Sequence, residues 1–180
     1  MKQITFVTGN TGKVKKLEQY LGIYFNHEAI DLDELQELDL IKVVEHKAKQ
    51  AYQILQRPVI VEDTALEFDA FNRLPGTFIK HFMAELGLEG LTALVPPENR
   101  QAIARAAFGF YDGNRLEIIQ GQIKGTIATE PSGTRGFGWD SIFIPEGNTK
   151  TRSELNDSDY ETSYTTLKNF EGLRQSLNNM

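Results

Sequence analysis

Three short segments hold the residues able to do chemistry. The first, Thr8-Gly9-Asn10-Thr11-Gly12, stands between the apolar run Ile4-Thr5-Phe6-Val7 and a stretch of helical periodicity. Where a strand gives way to a helix, a turn of this composition offers backbone N–H groups, hydroxyls and an amide to oxyanions, and the helix N-terminus itself favours negative charge. Lys13 and Lys16 fall in or near the first helical turn, where cations oppose the helix dipole. A bound anion would account for them; solvated lysines beside an ordinary glycine turn are the plainer alternative. The second segment, Glu62-Asp63, follows Val59-Ile60-Val61. Strand geometry sends the two carboxylates to opposite faces, so one can meet a ligand while the other does not. Asp63 is the better candidate, because Thr64 beside it can also donate. Carboxylate oxygens suit magnesium, which would screen phosphate charge and acidify a bound water; a strand-terminal acidic turn is the ordinary alternative. The third segment, Gly136-Phe137-Gly138-Trp139-Asp140, joins flexible backbone, two aromatic faces and an acceptor carboxylate. Such a set can stack on a flat heterocycle and read N–H groups on its edge, although both rings would serve equally well as core.

Gly12-Lys13 resembles the end of a P-loop, but two positions exclude that motif. The earlier glycine it needs falls at Val7, and the metal-binding hydroxyl after the lysine is replaced by Val14.

The elements that must position these residues follow from periodicity. Val14, Leu17, Tyr20 and Leu21 recur at helical spacing after the first turn, and Ile41, Val44, Ala48, Ala51, Tyr52 and Leu55 mark a second helix that ends before Pro58. Val59-Ile60-Val61 reads as a buried strand ending at the acidic pair. After the Pro75-Gly76 break, Thr77 is placed to cap a helix bearing Phe78, Ile79, Phe82, Met83 and Leu86, with a separate short helix at Leu91 to Val95. Apolar residues alternate from Ala102 to Phe110, and Asp112-Gly113-Asn114 predicts a hairpin turn into Leu116 to Ile119. Further strand pieces are predicted at Gln122 to Ala128 and Ser141 to Ile144. Leu167, Phe170, Leu173 and Leu177 form the buried stripe of a C-terminal helix. The sum is a mixed α/β fold, read as one domain over residues 1–180.

Composition narrows the function classes. The 180 residues suffice for a substantial core, and 40% apolar with 24% charged residues is ordinary for a globular chain. The absence of cysteine excludes disulfides, thiolate metal sites and cysteine nucleophiles, and is compatible with a reducing cytoplasm. Met1-Lys2-Gln3 runs straight into the first strand, without the apolar core of a signal peptide, and no run of about 18 apolar residues implies membrane insertion. A net charge of −6 argues against broad binding to a nucleic-acid backbone, while the few phosphates of a free nucleotide need only a local cluster of cations.

Taken in order, Thr8-Gly9-Asn10 with Lys13, Val61-Glu62-Asp63-Thr64, Leu74-Pro75-Gly76 with Lys80, and Gly136-Phe137-Gly138-Trp139-Asp140 resemble the landmarks of the inosine triphosphate pyrophosphatase (Ham1-like) family up to about residue 155. The resemblance implies a mixed central sheet flanked by helices, in two apposed lobes with a nucleotide cleft. It implies a homodimeric, cytoplasmic, magnesium-dependent hydrolase that converts noncanonical purine triphosphates (ITP, dITP, XTP) to the monophosphate and pyrophosphate. By resemblance, Thr8, Gly9, Asn10 and Lys13 bind phosphates, with Lys13 and Asp63 catalytic. Glu34, within Asp31-Leu32-Asp33-Glu34-Leu35-Gln36, and Asp63 hold magnesium. Lys47 and Lys80 add positive charge, with His46 in place of Lys47 if the preceding loop is not shifted by one residue. Thr64, Phe137, Gly138, Trp139 and Asp140 complete the nucleotide contacts.

The resemblance breaks near the C-terminus. Where the family carries a lysine and then Ser-His-Arg, this chain reads Asp159-Tyr160-Glu161-Thr162-Ser163-Tyr164-Thr165-Thr166, and Ser141 stands where a proline is expected. With Tyr and Thr hydroxyls in place of cationic donors, discrimination between a 6-keto and a 6-amino purine is expected to weaken. A different or modified nucleotide, or a binding protein that has lost turnover, are the accompanying alternatives.

Overall fold

A computed structural model of the chain describes residues 4–178. Met1-Lys2-Gln3, read above as leading into the first strand, lies outside them. A mixed sheet carries the fold, with helices on it: β1 (Thr5–Val7), α1 (Thr11–Leu21), β2 (Asn26–Glu28), α2 (Leu40–Leu55), β3 (Val59–Phe68), β4 (Pro75–Gly76), α3 (Ile79–Leu94), β5 (Gln101–Tyr111), β6 (Leu116–Ile127), β7 (Phe143–Pro145), α4 (Asp157–Lys168) and α5 (Phe170–Asn178). The strand order is β2-β1-β3-β5-β6-β7, with β4 paired to β3. β1 runs parallel to both β2 and β3, whereas β4 and β7 are antiparallel to their neighbours.

The described residues form two compact units. One comprises residues 4–63, 106–120 and 169–178; the other comprises 64–105 and 121–168. In the first, Thr5-Phe6-Val7 is wholly buried, paired on either side by β2 and β3. Val14 and Leu17 of α1 are buried, and Tyr20 stacks on Phe170 of α5 at 4.6 Å between ring centroids. α2 buries Leu40, Val43, Val44, Ala48 and Ala51, and packs so closely on β5 that a Cβ at Gly109 would lie 2.6 Å from Val44 Cγ1. In the second unit, Arg100 ties the segment before β5 to the end of β6 by donating to the Ile127 carbonyl at 2.7 Å and the Ala128 carbonyl at 2.5 Å.

Several expectations change. The acidic pair does not end a strand: β3 runs on through Glu62 and Asp63 to Phe68, because Ala65, Leu66 and Phe68 after the pair are buried and extend the core. Phe78, not Thr77, occupies the N-cap of α3, and the short helix expected at Leu91 to Val95 is the end of that helix beyond a break at Gly87 (φ 67°, ψ 178°). The two strand pieces around Gly121 form the single strand β6. β2, three residues of mixed polarity, carries no periodic signal and was not expected. The C-terminal stripe is split by Asn169, whose φ of 48° ends α4 and starts α5, yet Leu167, Phe170, Leu173 and Leu177 are all buried.

Gly121 shows why β6 needs no side chain at its centre. A Cβ there would lie 2.3 Å from the Leu167 carbonyl oxygen and 2.8 Å from that of Thr166, both in the last turn of α4. Backbone cannot give way as a flexible side chain does, so Gly121→Ala is expected to cost about 1–3 kcal/mol of stability. Chemical denaturation measures this; an unchanged unfolding midpoint would show that α4 does not press on β6.

Candidate active site

The first turn is a built helix cap. Asn10 stands in extended geometry at the N-cap of α1, and its Oδ1 accepts from the N–H groups of Gly12 (2.9 Å) and Lys13 (3.2 Å). Thr8 Oγ1 in turn accepts from the Asn10 N–H at 3.1 Å. With Oδ1 engaged, Asn10 can offer an oxyanion only the Nδ2 end of its amide. The cap fixes the start of α1 and therefore the root of Lys13, whose ammonium lies 3.4 Å from Glu62 Oε1. That carboxylate is nearly enclosed, its side chain only 4% exposed.

Asp63 points to the other face of β3, as alternation demands. Its Oδ2 accepts from Lys47 Nζ at 2.5 Å, with both side chains about three-quarters buried. Of the two candidates on α2, the structure thus brings Lys47 to the carboxylate. Three residues along the same helix, Gln50 locks the loop that carries Glu34: its Nε2 donates to Asp33 Oδ2 at 2.8 Å and its Oε1 accepts from the Asp33 N–H at 2.9 Å. Glu34 itself is exposed in that loop. Glu62 and Gln50 were not assigned these roles from sequence; the opposite-face rule and the i, i+3 spacing from Lys47 are the signals that point to them.

Among the described residues, no group of three or more His, Asp or Glu side chains is arranged to hold a metal. One or two carboxylates do fit magnesium, which keeps several waters and completes its shell with phosphate oxygens. Glu34 and Asp63 match that donor chemistry.

In the second unit, Thr64 continues β3 half-buried, and Lys80 is exposed in the first turn of α3. The aromatic-glycine segment divides its labour. Phe137 is 56% exposed, between Gly136 (φ 79°) and Gly138 (φ 63°), and its ring is open to a flat ligand. Trp139 is buried, edge-on to Phe143 at 5.5 Å. Asp140 is buried too, and both its oxygens are engaged. Oδ2 accepts from Tyr160 OH (3.1 Å) and the Phe137 N–H (3.2 Å), and Oδ1 pairs with Arg152 Nη1 at 3.0 Å. Arg152 is missing from the sequence-level candidates. Its signal was the capping box Thr151-Arg152-Ser153-Glu154, in which Thr151 and Glu154 exchange hydrogen bonds. A charged residue just inside a capped turn has its direction set by that cap.

The Ser and Thr hydroxyls of the C-terminal segment are engaged within their own helix. Ser163 donates to the Tyr160 carbonyl, Thr165 to that of Glu161 and Thr166 to that of Thr162, all within α4. Such back-bonding occupies the hydroxyl locally.

This chain belongs to the Ham1 family, whose model matches residues 4–169. It is 42% identical over 171 residues to the inosine triphosphate pyrophosphatase of Scheffersomyces stipitis, covering 86% of this chain and 87% of that protein. It is 43% identical over 157 residues to the protein of the same name from Saccharomyces cerevisiae, covering 79% of each. Its fold is similar to a HAM1 protein from Coxiella burnetii (TM-score 0.85, 23% identity, 100% of both chains) and to the Staphylococcus aureus Ham1 protein (TM-score 0.78, 20% identity, 99% of both chains).

Burial first, and then the neighbouring Asp140 carboxylate, push the Tyr160 phenol up to about 12, against the opposing pull of Arg152. A raised acid contributes stability that is complete below its ordinary value near 10 and is lost as pH climbs toward 12. Tyr160→Phe is expected to cost about 1–3 kcal/mol at neutral pH through the lost bond to a buried carboxylate. The variant should also lack the last phenolate component in a 295 nm absorbance titration. Loss of a component near pH 10 instead would place Tyr160 in an ordinary, solvated setting.

Proposed function

We propose that the chain hydrolyses noncanonical purine nucleoside triphosphates, ITP, dITP and XTP, to the monophosphate and pyrophosphate. The observation that carries this reading is the Lys47–Asp63 pair at 2.5 Å, in a chain similar over most of its length to named inosine triphosphate pyrophosphatases. A lysine held against a carboxylate is a cation kept in place for a polyanion, and the carboxylate is a ligand kept in place for a divalent ion.

Thr8, the Gly9 backbone, Asn10 through Nδ2, Lys13, Lys47 and Lys80 take the phosphate oxygens. Glu34 and Asp63 would hold magnesium, which when bound screens the phosphates and lowers the pKa of a coordinated water. Asp63 orients the attacking water toward the α-phosphorus and takes its proton. The water oxygen forms the new bond there, the bond to the bridging oxygen breaks, and pyrophosphate leaves with the electron pair. Lys13 and Lys47 stabilise the charge that develops on the phosphoryl oxygens, the term that dominates this class of reaction. Phe137 and Gly138 meet the base, with Thr64 as a further donor and Trp139 and Asp140 supporting from beneath.

Family membership also carries the expectation of a homodimer and a cytoplasmic setting. No helix among the described residues is long and apolar enough to cross a membrane.

A panel of nucleoside triphosphates with magnesium tests the reading. Pyrophosphate and monophosphate from ITP or XTP are the expected products; orthophosphate release contradicts the reaction, and tight binding without turnover marks a nucleotide-binding regulator. Asp63→Asn is expected to lower kcat by at least about a hundredfold, since a full charge leaves the water and metal site. Near-normal turnover by that variant removes Asp63 from the mechanism.

A further inference from the structure

Arg152 is 2% exposed, yet only part of its guanidinium is used. Nη1 is paired with Asp140, whereas Nε and Nη2 are buried and find no hydrogen-bond partner among the described residues. Nε and Nη2 lie side by side on one edge of a rigid plane, so they form a two-pronged donor fork, not two scattered N–H groups. Buried donors without acceptors are rare in folded proteins, so this edge calls for an acceptor pair.

The surroundings select the ligand. The guanidinium lies 5.5 Å from the Trp139 ring centroid and 5.2 Å from that of Tyr160, and Arg135 lies 5.7 Å from Tyr160 on its own account. The two buried rings hold the guanidinium plane, and the exposed Phe137 ring beside Gly138 is the flat surface left for a heterocycle. A phosphate would be repelled by Asp140, which already neutralises Arg152. The turn that places the arginine is held from three sides: the capping box, Thr151 Oγ1 donating to the Ser132 carbonyl at 2.8 Å, and Ser153 Oγ donating to the Arg135 carbonyl at 2.5 Å. The Gly136–Gly138 turn is tied to the same group, since the Phe137 N–H is bonded to the carboxylate that holds Arg152.

We propose that Arg152 is the specificity-determining residue of the base site, and that its Nε–Nη2 fork donates to the O6 and N7 acceptors of a 6-oxopurine. An arginine fork matches that pair of acceptors, whereas adenine presents an amino donor beside N7 and sets donor against donor. Arg152 thereby restores the discrimination that the C-terminal hydroxyls do not provide. The inference rests on the purine reading of the site but not on turnover.

Trp139 is the only tryptophan in the chain, so its fluorescence reports on this site directly. Titration with IMP, AMP and 7-deaza-IMP needs neither metal nor catalysis. The wild-type chain is expected to bind IMP roughly ten- to a hundredfold more tightly than AMP or 7-deaza-IMP. Arg152→Lys, which keeps the charge opposite Asp140 and removes the fork, should bind AMP as before and lose the preference for IMP. Equal weakening of IMP and AMP in Arg152→Lys overturns the proposal. Should that variant not fold, the wild-type comparison decides alone, and equal affinity for IMP and 7-deaza-IMP overturns it. A chain that prefers IMP through Arg152 yet releases no pyrophosphate would refute the hydrolase reading and leave this one standing.

Discussion

The alternation of β3 is the constraint from which the chemistry follows. Because successive side chains leave a strand in opposite directions, Glu62 and Asp63 diverge, and each meets a lysine from a different helix. Lys13 is rooted in the first turn capped by Asn10, and Lys47 in α2, whose apolar stripe is buried. Both pairs are formally neutral. Under the proposed reaction a triphosphate meets compensated cations, and a divalent ion shared with Asp63 is what would free Lys47 for the phosphates.

A second buried carboxylate, Asp140, organises the other unit in a similar way. It gathers the Tyr160 hydroxyl, the Phe137 backbone and the Arg152 guanidinium, and its engagement on all sides makes it a positioning group for the base site. The raised phenol of Tyr160 keeps the proton that this arrangement uses. The close approach of Gly136 to Asp140, 2.1 Å for a Cβ built there, shows that the turn can wrap the carboxylate only without a side chain.

Much of this was legible in the sequence. Strand-turn-helix at Thr8 to Gly12, the helix over 40–55, the hairpin at Asp112 to Asn114 and the mixed sheet follow from periodicity and turn chemistry. Asp63 and Lys47 could be named one by one, but not their contact, which depends on the register between α2 and β3. Arg152 was hidden because burial of a cation runs against composition: a lone arginine in Thr-Arg-Ser-Glu reads as surface until the capping box and the two rings are seen around it. The partners of the C-terminal threonines could not be read either, since a threonine's preference for its own helix carbonyl is settled only once the helix exists.

Magnesium titration by calorimetry, with and without the non-hydrolysable α,β-methylene analogue of ITP, bears most directly on the neutral Lys47–Asp63 pair. Two carboxylates should hold the ion weakly alone and about tenfold or more tightly once phosphate oxygens complete its shell. Equal magnesium affinity with and without the analogue would contradict a site in which Asp63 and the phosphates share the ion.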